Sequence, residues 1–510
     1  MAIYNFNLLV GYLPTGVDYA QGYRAKLFRE LKQVSYFIFT EIPEWSLIKF
    51  YLDQVGLQEE EMLSVHFSYL EDASLIPQLS FDEIKPGYPD IVNMEETSFY
   101  GGVKTFQSKL MDHFGISFTF TDEESDIVDF VSVYAQGKLI RRDYFTNRKM
   151  YSKFYYPQIN ESELIAVPFK TNFYDNKGKV IYEEIVTSDE PRYVFANHQK
   201  DIYKSEFVET FIKNLNWGKN DTVIFDRSAD QYFAQVALKN KGQAKLVAVI
   251  HSEHYFPKDY DPSYLYLNYE YYYIIRNVNS IDTFIVSTDL QKQKFTETVY
   301  KESGVRPNVQ VIPVGSVDLK EPSHHQRKHF SMMTASRLQA RKRVDWLIRA
   351  AILAKKDIPQ LEFSIYGRGS EQEKLENIIN EHNAQNYIFL KGHADLDDVY
   401  PQYELYVSAS SWETFGLSLL EAVSHGLAMI GLNVPYGNPT FIESDSNGFL
   451  VDYEYLSDEQ ITIQALADKI ITYFKLPETV RQSFNDKSFE IAEQFTKDKV
   501  KQVWLELLEN

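Results

Sequence analysis

Two glutamates give the first chemical signal in this sequence. In Ser410-Ser411-Trp412-Glu413-Thr414-Phe415-Gly416-Leu417-Ser418-Leu419-Leu420-Glu421-Ala422 they stand with seven residues between them. Leu405-Tyr406-Val407-Ser408-Ala409 before them reads as a buried strand, and Leu417, Leu420 and Val423 form an apolar helical face that Gly426 stops. Glu413 is therefore expected just before or at the helix start, with Glu421 two turns in. Eight helical residues rise about 12 Å, comparable to the span from the sugar to the ribose of a nucleotide sugar. Each carboxylate can accept hydrogen bonds from hydroxyls. Two solvated acids on an amphipathic helix would show the same spacing, so the surrounding residues decide.

Several of those residues fall at expected strand ends, where parallel α/β sheets bind ligands through loops and helix N-termini. Arg337 and Lys342 follow Ser331-Met332-Met333-Thr334-Ala335-Ser336 and can meet one diphosphate, holding the charge that collects on a departing nucleoside diphosphate. Gly16 follows the first strand, in a Gly11-x4-Gly16 loop that permits close approach of backbone to ligand and also suits a plain turn. Lys391-Gly392-His393-Ala394 could face a flat base or form a tight turn. His251-Ser252-Glu253-His254 ends another strand. Two histidines and one glutamate make a poor zinc signature without a third distant ligand, which leaves a structural histidine or one facing a reacting sugar. Asp395-Leu396-Asp397-Asp398 reads as a cap at a helix start rather than a metal motif.

The elements that must position these side chains alternate strand with helix at both ends of the chain. A strand from Ile3 to about Val10 leads to a helix starting near Val17 or Asp18, with Arg24, Leu27 and Phe28. Between about 41 and 202 the texture changes to short aromatic and β-branched runs separated by turns such as Gln136-Gly137 and Asp175-Asn176-Lys177-Gly178. This segment is expected to be a mostly antiparallel β insertion with one open face, and Tyr151–Tyr156 and Lys179–Val186 read as hairpin arms. Strands at Val223–Asp226, Leu246–Ile250, Thr283–Ser287 and Val309–Gly315 resume the α/β pattern, and 319–329 reads as a linker. A second α/β domain begins at Ser331, with strands Leu361–Tyr366 and Tyr387–Leu390 and a capping box from Ser370 and Glu373. The expected division is 1–40 with 203–318, the insertion 41–202, a second α/β domain 319–485, and a terminal helix 486–510 packing back on the first domain.

Composition limits the partners. The net charge of −20 disfavours nonspecific capture of nucleic acid or anionic membrane, so any phosphate site must be local. With no cysteine there is neither a disulfide framework nor a thiolate metal site. The start lacks a signal-peptide pattern, and no apolar run approaches the roughly 20 residues that span a bilayer.

Ser336-Arg337-Leu338 with Lys342, Tyr366-Gly367-Arg368-Gly369, Gly392-His393, and Glu413-x7-Glu421 together resemble retaining GT-B glycosyltransferases of family 4. The opening Ile3-Tyr4-Asn5-Phe6-Asn7, Gly16-Val17-Asp18-Tyr19-Ala20, Gly137 to Phe145, His251 to Tyr255 and Val434-Pro435-Tyr436-Gly437-Asn438 extend the resemblance over nearly the whole chain, to catalytic subunits of accessory secretion system O-glycosyltransferases. The resemblance implies two Rossmann-like domains facing a cleft, with the β insertion binding acceptor and a homologous noncatalytic subunit. It implies transfer of N-acetylglucosamine or glucose from a UDP-sugar to Ser/Thr of a serine-rich repeat adhesin, in the cytoplasm or at the inner face of the membrane. By position, Gly16, Val17, Asp18, Tyr19, Gly367, His393, Ala394 and Glu421 would hold the UDP donor. Arg337 and Lys342 would hold its diphosphate in place of a metal, so no cofactor is implied. Glu413, Thr414, Phe415 and Gly416 would surround the sugar, with His251 approaching it. Thr414 stands where close relatives often carry Gly, which bears on sugar choice. A teichoic acid glycosyltransferase is the alternative, and a noncatalytic chaperone-like subunit is the reading from another class.

Overall fold

A computed structural model describes residues 1–7, 15–111, 113–160, 163–196, 201–227, 231–255, 266–318, 327–454 and 458–509. Gly11, the end of the expected first strand and most of the expected linker lie outside these residues. The chain divides into two compact units, Met1–Ala248 with Tyr269–Asp282, and Val249–Asn268 with Thr283–Asn510.

In the first unit the strand Ala2–Asn7 pairs in parallel with Thr222–Phe225 on one side and Val34–Phe39 on the other. Thr222–Phe225 continues to Lys245–Val249, and Val34–Phe39 continues to Met62–Ser64. Buried Ile3, Phe6, Phe37, Ile38 and Val223 make these strands apolar on both faces, as a covered parallel sheet requires. The β insertion therefore does not start at 41. Met62–Ser64 belongs to the parallel sheet, and its three residues are too few to show a period in the sequence.

The insertion itself is a ten-stranded antiparallel meander from Met94–Tyr100 to Ile202–Tyr203, each strand beside its neighbour in sequence. Gln136 and Gly137 take φ of 51° and 72°, the left-handed pair of a tight hairpin turn. Asp175 Oδ1 accepts from Lys177 N at 2.9 Å and Lys179 N at 2.8 Å, which closes the next expected turn. The arms around 151–156 and 179–186 are not each other's partners. Lys149–Asn160 and Val180–Ile185 both pair with Glu163–Tyr174, a strand hidden in the sequence by Pro168 and polar neighbours. Stacked rings join neighbouring strands, Phe173 on Tyr182 at 4.3 Å, and seat the sheet on the helix Lys204–Leu215, Tyr193 on Phe207 at 3.9 Å. The first strand, Met94–Tyr100, is almost wholly exposed.

The second unit holds a six-stranded parallel sheet in the order Ile388–Gly392, Glu362–Tyr366, Ser331–Ala335, Leu405–Ser408, Ala428–Leu432, Gly448–Val451. Helices Val344–Ala354 and Glu459–Lys475 cover it with Trp346, Leu347, Ile348, Leu466 and Ile470. The capping box expected from Ser370 and Glu373 does not form. The helix there is Gln372–Glu381 with Glu371 at its N-cap, because Glu371 N is already drawn to Leu338 O at 3.0 Å. The C-terminal segment is two helices, Glu478–Ala492 and Lys497–Glu509, joined by a turn that Val317 grips: its N donates to Phe495 O, and its O accepts from Lys497 N.

Candidate functional site

Strand order reverses between Ser331–Ala335 and Leu405–Ser408, and such a switch point opens a crevice beyond the carboxyl ends of the two strands. The chain leaving the first carries Arg337 and Lys342; the chain leaving the second carries Glu413. Lys342 ends a single 3₁₀ turn, Ala340–Lys342, and Arg343 at φ 46° redirects the chain into the helix Val344–Ala354. Ser411 N and Oγ both donate to Arg341 O, at 3.0 and 3.2 Å, and so tie the two loops together. Across this tie Lys342 Nζ lies 2.5 Å from Glu413 Oε2, both side chains largely enclosed. Arg337 is half-buried two residues past its strand.

Glu413 lies in the loop before the helix, not at its start. The helix begins at Leu417 because Gly416 takes φ 88°, and Glu421 lies about one turn in, not two. That left-handed φ, more than the 2.6 Å approach of an added Cβ to the movable Leu419 Cδ1, is what favours glycine there. Phe415 is buried between Phe441 and Phe495 at 5.1 and 5.8 Å and anchors the loop, leaving Thr414 half-exposed. Glu413 O accepts from Tyr436 N at 2.9 Å and Gly437 N at 2.8 Å.

Glu421 accepts from Tyr400 Oη at 2.9 Å, and burial, with Asp397 and Asp395 adding to it, pushes its carboxyl up to about 7. Asp395 caps no helix: its Oδ1 accepts from Asp397 N at 3.2 Å in a local turn, and the chain proceeds to the 3₁₀ turn Tyr400–Gln402, which ends where Tyr403 becomes extended. His393 is exposed just past Ile388–Gly392, with Ala394 half-buried beside it. Gly367 N donates to Gly392 O at 2.8 Å and Ser336 N to Tyr366 O at 3.0 Å, which joins this corner to the Arg337 loop. Gly367, at φ 135°, would drive a Cβ to 1.8 Å from Ser336 O; its bare backbone is what lets the loops converge.

His251 follows the strand Lys245–Val249 and is half-buried. Its neighbour His254 is the structural histidine of the pair. His254 Nε2 is 2.9 Å from Thr298 Oγ1, and burial lowers its pKa to about 3. Among the described residues no three His, Asp or Glu side chains gather as metal ligands. Tyr436 connects this turn to the Glu413 loop: its hydroxyl donates to buried Glu253, whose carboxyl burial raises, while its backbone holds Glu413. Nothing in the sequence marks a role for Tyr436 within Val434–Asn438, or for Tyr400. Single tyrosines among 37 in the chain carry no spacing to read.

In the first unit Gly16 opens the helix Gly16–Glu30, and an added Cβ there meets nothing within 4 Å. Asp18 is committed locally, accepting from Thr15 N, Thr15 Oγ1 and Tyr51 Oη, each at 2.7 Å. Val17 is half-buried, and Tyr19 packs edge-on to Phe50 at 6.2 Å. Buried Asp226 binds Gln21 at 2.7 Å and Arg24, locking the helix to the strand Thr222–Phe225.

Known proteins share this plan. A family model described as glycosyl transferases group 1 matches residues 318–488, and one described as GtfA extended beta-sheet domain matches 103–197. The chain is 35% identical over 506 residues to the UDP-N-acetylglucosamine–peptide N-acetylglucosaminyltransferase GtfA subunit of Streptococcus agalactiae, covering 99% of this chain and 97% of that one. The crystal structure of the pneumococcal O-GlcNAc transferase GtfA in complex with UDP and GlcNAc matches with a TM-score of 0.90 at 35% identity, covering 100% and 98%. A crystal structure of a GtfA/B complex matches with a TM-score of 0.87 at 34% identity, covering 100% and 99%. The poly(ribitol-phosphate) alpha-N-acetylglucosaminyltransferase of Staphylococcus aureus is more distant, 25% identical over 77% of this chain and 75% of its own length.

Proposed function

Because the chain belongs to the GtfA family of glycosyltransferases, we propose that it moves N-acetylglucosamine from UDP-N-acetylglucosamine to serine and threonine hydroxyls of a polypeptide. It is a glycosyltransferase of GT-B fold. The polypeptide is read as a serine-rich repeat adhesin, modified in the cytoplasm before export with a homologous subunit in attendance, as the GtfA/B complex suggests. Among the described residues no helix is long and apolar enough to cross a membrane.

The observation that carries the reading is the Lys342–Glu413 pair at the switch point, with Arg337 on the same loop. Arg337 and Lys342 supply the positive charge that a departing UDP needs, and Glu413 with Thr414 and Gly416 accepts and shapes the sugar. The acceptor oxygen attacks the anomeric carbon on the face UDP leaves, and its proton passes to the departing phosphate oxygen. No protein nucleophile is needed. Glu421 accepts from the ribose hydroxyls, His393 and Ala394 lie by the uracil, His251 approaches the sugar, and Gly367 holds the loops that present the diphosphate clamp. Gly16, Val17 and Tyr19 are donor contacts on the strength of the open backbone at Gly16, with Asp18 fixing their turn.

The test is to incubate the purified chain, alone and with its homologous subunit, with a panel of UDP-sugars and a Ser/Thr-rich peptide, and to weigh the peptide. Addition of N-acetylhexosamine mass to the peptide, with none to a ribitol phosphate polymer, is expected. Arg337→Ala should lower kcat/KM by about 10²- to 10³-fold, and full activity in that variant would remove the diphosphate clamp.

A further inference from the structure

Glu421 reaches its position through a contact outside every motif of the sequence. Tyr400 is 1% exposed, on a turn where Pro401 fixes the backbone, and its hydroxyl donates to Glu421 Oε2 at 2.9 Å. The ring cannot swing away: it stacks on His425 at 5.1 Å with planes 25° apart. His425 is itself pinned, with Nδ1 2.7 Å from Glu421 O and its backbone oxygen accepting from Arg327 at 2.7 Å. One helical turn, Glu421 to His425, thus holds tyrosine and carboxylate in a closed loop. A carboxylate with one oxygen occupied by a rigid donor has the other left in a single orientation, which is what recognition of a vicinal diol requires.

We propose that Tyr400 is the positioning residue of the donor site, holding Glu421 so that its remaining oxygen addresses the ribose hydroxyls of the UDP-sugar. This rests on the assignment of Glu421 to the ribose. Tyr400 does not touch the reacting atoms, so its removal should act on donor binding and not on bond breaking. Its O–H bond also favours the ionised acid against the burial and the Asp395 and Asp397 charges that oppose ionisation; His425, 3.3 Å from Asp397, and buried Tyr406 are further titratable neighbours.

Steady-state transfer and binding of UDP against 2′,3′-dideoxyuridine diphosphate separate the possibilities. Tyr400→Phe should raise KM for the UDP-sugar about tenfold with kcat within about twofold, since a hydrogen bond to a charged group is lost. The rise in KM on acidification should begin at higher pH than in the wild type. The variant should bind UDP more weakly than the wild type yet bind the dideoxy analogue equally well. Equal weakening toward both nucleotides would make Tyr400 merely structural and overturn the inference. Glu421→Gln is the control: if it binds UDP normally, the ribose assignment itself fails, whereas if Glu421→Gln weakens UDP and Tyr400→Phe does not, only the positioning role falls.

Discussion

A lysine has one charge to give, and Lys342 gives it to Glu413. An anion that draws the ammonium away would leave Glu413 a bare acceptor, so binding negative charge at Lys342 and freeing the Glu413 carboxylate are one event. Glu421 shows the cost of a buried acid. Its carboxyl, at about 7 against an ordinary 4.5, is stabilised by folding only while protonated; that contribution is complete below about pH 4.5 and lost as pH rises through about 7. Glu421→Gln should therefore be the more stable protein at pH 8, by up to about 3 kcal/mol, and equal to the wild type near pH 4.5. Thermal melts at the two pH values check the sign. Arg337, Lys342 and Glu413 were legible as candidates because each falls on a loop past a strand end, and Glu421 from its spacing to Glu413. Tyr400, Tyr406 and Tyr436 were not, since each acts through a contact far along the chain: Tyr406 Oη donates to Ala335 O at 3.0 Å and lies 2.9 Å from Ser418 Oγ.

The elements divide by what their glycines do. Gly367→Ala must force backbone apart at φ 135°, and a loss of at least about 3 kcal/mol is expected, read as a lower urea midpoint at unchanged slope. Gly16→Ala meets open space, so its midpoint should stay put while KM for the UDP-sugar rises; a fall in stability with KM unchanged would make Gly16 a turn residue only. The parallel strands and their helices were readable from continuous apolar runs such as Leu246–Ile250 and from the period of Val344, Leu347, Ile348 and Ala351. What escaped was short or interrupted. Met62–Ser64 is too brief to show a pattern, Glu163–Tyr174 contains a proline, and the helix after Glu413 starts late because Gly416 is left-handed, a property no periodicity reports.

At the scale of the whole molecule, the acidic balance and the antiparallel sheet bear on each other. Among the described residues the meander ends on Met94–Tyr100, bonded to a neighbour on one side only, with Phe99 and Tyr100 57% and 88% exposed. A strand of that length with apolar rings invites copies of the same chain to zip onto it. Glu95 and Glu96 stand on that strand, facing Lys109 at 3.6 Å and Lys104 at 3.2 Å. Ion pairs this exposed add little to folding; their worth lies in keeping charge on the rim. Replacing both acids by valine should leave the thermal midpoint nearly unchanged and drive concentration-dependent self-association in sedimentation velocity. Two glutamates so placed put charge on an unclosed border, the feature by which edge strands resist fibrous polymerisation.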